Sequence, residues 1–239
     1  MELFYSNNIN KAGLIVLDSI ESKHCIKVLR KSIGDKVSVV NGIGTLYKGV
    51  IESNNSRECH IKILNSIENY DKRDYYIHIA ISPIKNNNRM EWFVEKSIEI
   101  GIDEISFIDC DRTLRHTVKI DRIVKTAISA MKQTLKASLP RINNICSFDK
   151  FIKKNKESNK FICHLENNDR SEIFKFKNQL YKKKDTCILI GPEGDFTLDE
   201  IDKSKNFDFE AISLGKSRFR TETAGIVACH LLNIVNTND

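Results

Sequence analysis

Three short segments near the C-terminus hold the residue types from which a ligand site can be built. The first, Ile190-Gly191-Pro192-Glu193-Gly194, closes the apolar run Cys187-Ile188-Leu189-Ile190. Its glycines let a ligand approach the backbone and permit positive φ, and Pro192 stiffens the turn. An ordinary strand-to-helix connection also accommodates Gly and Pro, so this segment alone admits a structural as well as a binding role. The second segment, Ser213-Leu214-Gly215-Lys216-Ser217-Arg218-Phe219-Arg220, follows the apolar pair Ala211-Ile212. Gly215-Lys216-Ser217 mimics the end of a phosphate-binding loop. That motif needs a glycine five residues upstream, where Glu210 stands, so an ATPase is excluded. Gly42-Ile43-Gly44 fails in the same way as a dinucleotide fingerprint, because Tyr47 occupies the third glycine position. The third segment, Thr221-Glu222-Thr223-Ala224-Gly225, opens a helix, with Thr221 expected as its N-cap.

Strands and helices must carry these loops. From residue 75 onward the two periodicities alternate. Tyr76 to Ile81 and Ile105 to Ile108 read as strands. Between them, Met90, Phe93, Val94 and Ile98 share one face of a helix that Gly101 ends. A second helix places Ile123, Ala127, Met131 and Leu135 on one side, with Pro140 expected to stop it. Phe161-Ile162-Cys163 and Cys187 to Ile190 are wholly apolar, as strands covered on both faces are. This pattern predicts a parallel α/β domain over residues 75–239, in which ligands gather at the carboxyl ends of strands. Thr197 and Glu200 form a capping box, a purely structural signal. The last helix is apolar at Ile226, Val227, Leu231, Leu232, Ile234 and Val235, enough for a core helix or a subunit interface.

Residues 1–70 read differently. Lys36 to Val40 and His60 to Leu64 are short strands, and Asn41-Gly42 is a turn signal, which together predict a small β-barrel. His24 to Arg30 is a short helix or turn. Lys23, Lys27, Arg30 and Lys31 interleave there with apolar residues, as a nucleic-acid backbone contact or a solvated helix face would. The polar run from Glu68 to Asp74 is the expected linker, and Lys182-Lys183-Lys184 the expected solvated face.

Composition adds bounds. The net charge of +6 is spread along the chain, which is compatible with RNA but does not require it. No apolar run reaches membrane-spanning length, and the N-terminus lacks the pattern of a signal peptide, so a cytoplasmic location is expected. Seven cysteines without a C-x-x-C pair suggest neither a disulfide framework nor a zinc ribbon. Four adjacent Cys/His pairs point their side chains to opposite faces of a strand, so buried reduced thiols are expected and no metal.

The three segments together resemble the cofactor loops of the SPOUT methyltransferases: Ile-Gly-Pro-Glu-Gly at 190–194, Leu-Gly at 214–215 and Arg-Thr-Glu-Thr-Ala at 220–224. The last is similar to the RsmE branch, which makes 3-methyluridine in 16S rRNA. Arg89-Met90-Glu91-Trp92, Ala130-Met131-Lys132-Gln133 with Leu139-Pro140, and His24 with Val28-Leu29-Arg30 and Gly34-Asp35 resemble other parts of that branch, so the resemblance covers nearly the whole chain. Four positions depart from it. The family usually has Gly where Asp195 stands, often Pro-Arg at Lys216-Ser217, and Leu at Phe219.

The resemblance implies a PUA-like β-barrel followed by a SPOUT α/β domain with a C-terminal trefoil knot. It implies S-adenosyl-L-methionine (SAM) as methyl donor, a homodimer, and 16S rRNA of the small ribosomal subunit as partner. Ile190, Gly191, Pro192, Glu193, Gly194, Leu214, Gly215, Phe219, Thr221, Thr223 and Ala224 become the expected cofactor residues. Lys23, Lys27, Arg30, Lys31 and Arg89 become the expected RNA contacts. Methyl transfer to a ring nitrogen rewards orientation above all. Uracil N3 must also lose its proton, which calls for a base or for a cation that stabilises the anion. Arg220 is the expected cation, unless it pairs with Glu193 or Glu222. Glu222 is the weaker candidate for the base, since a carboxylate in a first helical turn also complements the helix dipole. A SPOUT enzyme with another rRNA or tRNA target, and a noncatalytic RNA-binding assembly protein, are the alternatives.

Overall fold

The computed structural model describes all residues except Met1, Lys11, Ala12, 167–169, Lys183, Lys184, Asn238 and Asp239. Two lysines of the 182–184 run thus lie outside the described residues. The chain forms two compact units, one of residues 1–72 with 128–139, the other of residues 73–127 with 140–239.

The first unit is built on a five-stranded sheet of β1 (Leu3–Tyr5), β2 (Leu14–Val16), β3 (Lys36–Val40), β4 (Leu46–Ser53) and β5 (His60–Ile67), in the order β1-β3-β4-β5-β2. All neighbours are antiparallel except β1 and β3. Two register shifts between β4 and β5 add local twist. Alternate residues of these strands (Ile15, Val37, Val39, Ile51 and Ile61) bury a small core with Phe4 and Leu17. Helix α1 (Ser19–Lys23), capped by Asp18, runs into a π-helical turn over His24–Val28. Lys23, Lys27 and Arg30 are exposed along this stretch, while Cys25 is buried and Lys31 pairs with Glu2 at 3.5 Å.

The second unit is a parallel sheet with helices. Its strands are β6 (Tyr76–Ile81), β7 (Glu104–Asp109), β8 (Arg141–Ile142), β9 (Cys146–Ser147), β10 (Asn159–Cys163), β11 (Ser171–Glu172), β12 (Asp185–Ile190) and β13 (Glu210–Ser213). Their order is β11-β13-β10-β12-β6-β7-β8, and β9 also pairs with β7. Ile77, Ile79, Ile188 and Leu189 are fully buried in the central strands, because helices cover both faces. The helices are α2 (Asn87–Ile100), α3 (Ile120–Gln133), whose residues from 128 onward belong to the first unit, α4 (Phe148–Lys154), α5 (Lys177–Lys182), α6 (Leu198–Lys205) and α7 (Thr221–Asn236). Asn86 caps α2, and the capping box of Thr197 and Glu200 opens α6. Gly225 brings α7 against α2: a Cβ there would lie 2.5 Å from the Phe93 ring.

Two helix ends differ from expectation. Helix α3 stops at Gln133, well before Pro140. Thr134 turns its hydroxyl back to the Ala130 carbonyl and Leu135 takes a left-handed φ of 58°, which closes the helix. Thr221 is not the N-cap of α7; Arg220 holds that position, and the Thr221 hydroxyl instead donates to the Gly191 carbonyl at 3.0 Å. All seven cysteines are free, and five are buried. Burial pushes the Cys25 thiol up to about 12. No helix among the described residues is long and apolar enough to cross a membrane.

Candidate cofactor site

The carboxyl ends of β13, β10, β12 and β6 lie side by side in the sheet, and the loops that leave them surround a cavity of about 510 Å³. Parallel pairing puts this end of every strand on one edge, which is why residues distant in sequence meet there.

From β12 come Ile190, Gly191, Pro192 and Glu193. Gly191 packs tightly: a Cβ would lie 3.0 Å from the ring of Phe196, itself fully buried, so that ring would have to give way. The Asp195 amide donates to the Pro192 carbonyl at 2.9 Å, closing a tight turn. Gly194, expected as a cofactor contact, is absent from the cavity wall; its carbonyl accepts from Arg112 Nη1 at 2.8 Å. Arg112 reaches the Phe196 carbonyl as well and so pins the loop from outside.

Asp195, where the family usually has glycine, adopts φ 62°. Its carboxylate accepts from the Leu165 amide at 2.7 Å and from the Phe196 amide at 2.8 Å. An aspartate tolerates this region better than most residues. Here its side chain also ties the β12 loop to the β10 loop.

From β13 come Leu214 and Gly215, the latter at φ 125°, with the Ser213 hydroxyl bracing the turn. Phe219, Arg220, Thr221, Glu222 and Ala224 complete this wall, while Thr223 is not part of it. The Arg220 side chain is exposed and has no hydrogen bond or ion pair among the described residues, so neither Glu193 nor Glu222 neutralises it. Glu222 is buried and faces Arg89, Nη1 to Oε1 3.7 Å. Arg89 therefore belongs to the cavity, in the second unit, whereas Lys23, Lys27, Arg30 and Lys31 belong to the first.

Two contributors escaped the sequence. The loop after β6 supplies Ile84 and Lys85, and the Lys85 amide donates to Glu193 Oε1 at 3.3 Å. The loop after β10 supplies Cys163, His164, Leu165 and Arg170. His164 is 5% exposed, and neither ring nitrogen has a hydrogen-bond partner among the described residues. Burial holds its pKa below the usual imidazole value, so the ring is neutral. The rule that ligands collect at strand carboxyl ends, applied to Phe161-Ile162-Cys163, is the signal that could have found this loop.

The cavity fits a cofactor with an uncharged aromatic half and a charged half. Ile190 and Ile212 are its buried apolar lining, its walls offer backbone at glycines, and Glu193, Arg218 and Arg220 are its exposed charged groups, with Glu222 charged but buried.

At the opposite edge of the same sheet lies a buried polar cluster. His78 Nδ1 meets Glu157 Oε1 at 2.5 Å and Nε2 meets Ser106 Oγ at 2.8 Å. Tyr76 and Asn143 donate to Glu104. His78, Glu104 and Glu157 are near enough to suggest metal ligands, but the two ring nitrogens point to different partners, so one ion would need the cluster to rearrange. Burial raises the Glu157 pKa, and the hydrogen bond and charge of His78 outweigh it, leaving the carboxyl below its usual range.

Known proteins share this architecture. A family described as the RNA methyltransferase domain matches residues 71–233, and one described as the RNA methyltransferase PUA domain matches residues 17–64. The ribosomal RNA small subunit methyltransferase E of Buchnera aphidicola is 30% identical over 223 residues, covering 88% of this chain and 84% of its own. A Porphyromonas gingivalis crystal structure described as a probable rRNA-methyltransferase is 34% identical, with a TM-score of 0.90 over 99% of this chain and 98% of that one. A Legionella pneumophila methyltransferase structure in complex with the cofactor SAM is 25% identical, with a TM-score of 0.84 over 98% of this chain and 97% of that one.

Proposed function

Since this chain belongs to the RNA methyltransferase family, alongside ribosomal RNA small subunit methyltransferases E, we propose that it methylates N3 of a uridine in 16S rRNA of the small ribosomal subunit, with SAM as donor. The observation that carries the reading is the cavity where four strand ends converge, walled by the glycine loops of β12 and β13 and by the start of α7.

When bound, SAM supplies an activated methyl group on a sulfonium, so transfer is a displacement that needs no metal. The backbone of Gly191, Leu214 and Gly215 would hold it, with Ile190, Pro192, Phe219, Thr221 and Ala224 around it and Glu193 at the mouth. Gly194 and Thr223 act behind this wall, one through Arg112 and the other within α7.

Uracil N3 becomes nucleophilic as its proton leaves. Arg220, exposed and unpaired beside the cavity, stabilises the developing negative charge on a uracil carbonyl. Glu222 is a weaker candidate for the base, because it is buried in the first turn of α7 with Arg89 facing it at 3.7 Å. Arg89 sits at the cavity mouth, where an RNA phosphate could compete for it.

The remaining parts of the reading follow the family. Residues 1–70 form a PUA-like barrel that grips RNA through Lys23, Lys27, Arg30 and Lys31, and residues 75–239 form the transfer domain with its trefoil knot. The return of Thr221 to the Gly191 carbonyl supports close passage of these segments. The enzyme works in the cytoplasm as a homodimer. Support for the dimer comes from α7, where Ile234 is 45% exposed, and from Trp92 of α2, 44% exposed.

The test is methyl transfer from labelled SAM to small subunits that lack the modification, followed by nucleoside analysis. Label in 3-methyluridine is expected. Label in another nucleoside, or none, would overturn the assignment.

A further inference from the structure

We infer that His164, presented from the loop after β10, is a binding residue for the nucleoside half of the methyl donor. The inference rests on the SAM reading above.

Position is the first argument. β10 lies between β13 and β12, so its carboxyl end opens between the two glycine loops. His164 follows the last residue of β10 and is a buried part of the cavity lining.

The second argument is the orphaned ring. A buried polar group without a partner costs stability, so such groups in a ligand cavity mark where a ligand supplies the partner. Both nitrogens of His164 are unpaired among the described residues. A neutral imidazole offers one donor and one acceptor, a match for ribose hydroxyls or a purine edge, which also carry both.

The third argument separates the two halves of the ligand. The ring is buried in a cavity whose buried lining includes the apolar Ile190 and Ile212, while Asp195 and Arg170 engage the backbone of its loop. The sulfonium, ammonium and carboxylate of the other half need charged or hydrated surroundings, which the mouth provides at Glu193 and Arg220.

The loop is held in place from both sides. Asp195 accepts from the Leu165 amide, and Arg170 Nη1 donates to the His164 carbonyl at 2.6 Å. The ring is thus fixed by its backbone, although its own nitrogens bond to nothing in the chain.

The experiment is calorimetric binding of SAM and of 5′-methylthioadenosine, which lacks the amino-acid half, to the full chain and to His164→Phe and His164→Gln. Phe keeps a flat ring and breaks no hydrogen bond of the chain, and circular dichroism checks that each variant is folded. His164→Leu repeats the test with a smaller side chain, in case the Phe ring blocks the cavity. The expected result is a loss of roughly tenfold for both ligands in the Phe and Leu variants, the scale of one or two neutral hydrogen bonds. His164→Gln, which keeps a donor and an acceptor, recovers most of it. A loss for SAM alone would move His164 to the amino-acid half and overturn the inference. Unchanged binding in all variants would overturn it too, and if turnover then collapsed, the ring would serve the accepting base. A wild-type chain that binds no SAM would remove the proposed function itself, which the variants alone cannot do.

Discussion

Replacing Asp195 separates backbone strain from side-chain anchoring, because both meet at one residue. The residue sits at φ 62° and its carboxylate accepts two amide hydrogens, from Leu165 and Phe196. Hydrogen bonds to a charged acceptor contribute about 1.5–3 kcal/mol each when sheltered. Asp195 is half-buried and the Phe196 bond is local, so screening reduces the pair to roughly 1–2 kcal/mol in total. Asp195→Gly loses that amount and relieves the left-handed strain. Asp195→Ala loses it and keeps a β-carbon in the left-handed region, costing about 1 kcal/mol more. The expected order of stability is Asp, then Asn, then Gly, then Ala. At about 2–4 °C per kcal/mol for a unit of this size, Asp195→Ala lowers the thermal midpoint by roughly 2–8 °C. Calorimetry on the four proteins measures this, with the two units fitted as separate transitions. An alanine variant as stable as the glycine variant would refute the strain argument. An alanine variant as stable as wild type would refute the anchoring.

Other consequences are open to direct test. Gly225→Ala puts a methyl group where only 2.5 Å separates it from the Phe93 ring, so unfolding should become easier by about 1–3 kcal/mol; an unchanged midpoint would mean that α2 and α7 part without cost. Arg112→Ala frees the carbonyls of Gly194 and Phe196, and SAM affinity measured by calorimetry should fall several-fold while the fold persists. The His164 pKa is depressed in the folded chain, so the unfolded chain binds more protons between that value and about 6.5. Stability should therefore be fully present above pH 6.5 and decline as the pH falls through this window. Urea titrations of wild type and His164→Gln at pH 7.5 and pH 5.5 compare the slopes, and equal slopes would contradict the assignment.

What the sequence made legible was local. The capping box at Thr197, the buried run from Cys187 to Ile190 and the face of Met90, Phe93 and Ile98 each depend on neighbours within one or two turns, so periodicity finds them. The glycine loops were legible because the turn chemistry is written in consecutive residues. What was missed depends on strand order. The strand-end rule points to the loop after Cys163 as a ligand loop, but nothing near it tells that β10 lies between β12 and β13, so the residues with which His164 and Arg170 share the cavity stayed hidden. Arg112 likewise acts on carbonyls more than eighty positions away. The end of α3 was misread because Pro140 is the louder breaker, whereas the helix is closed by a leucine in a left-handed conformation, which no composition rule favours. Thr221 was misread for a related reason: a hydroxyl at a helix start usually serves its own helix, and here it serves Gly191.

The order of strands in the sheet has a temporal consequence. Ile79 of β6 pairs with Ile188 of β12, and nearly half the chain is made between the two. On a ribosome that adds about 5–20 residues per second, β6 waits several seconds for its central neighbour. During that interval its apolar residues, Ile77, Ile79 and Ile81, have only β7 beside them. Pairing at such sequence separation is also intrinsically slow, because loop closure precedes any gain from contact. The five strands of residues 1–72 pair only with one another, so this sheet can form before residues 128–139, which complete the unit, are made. The nascent chain therefore emerges with its small sheet formed and its large one pending. Holding factors that shield apolar strands should raise the yield of this protein during synthesis more than they speed its refolding once complete.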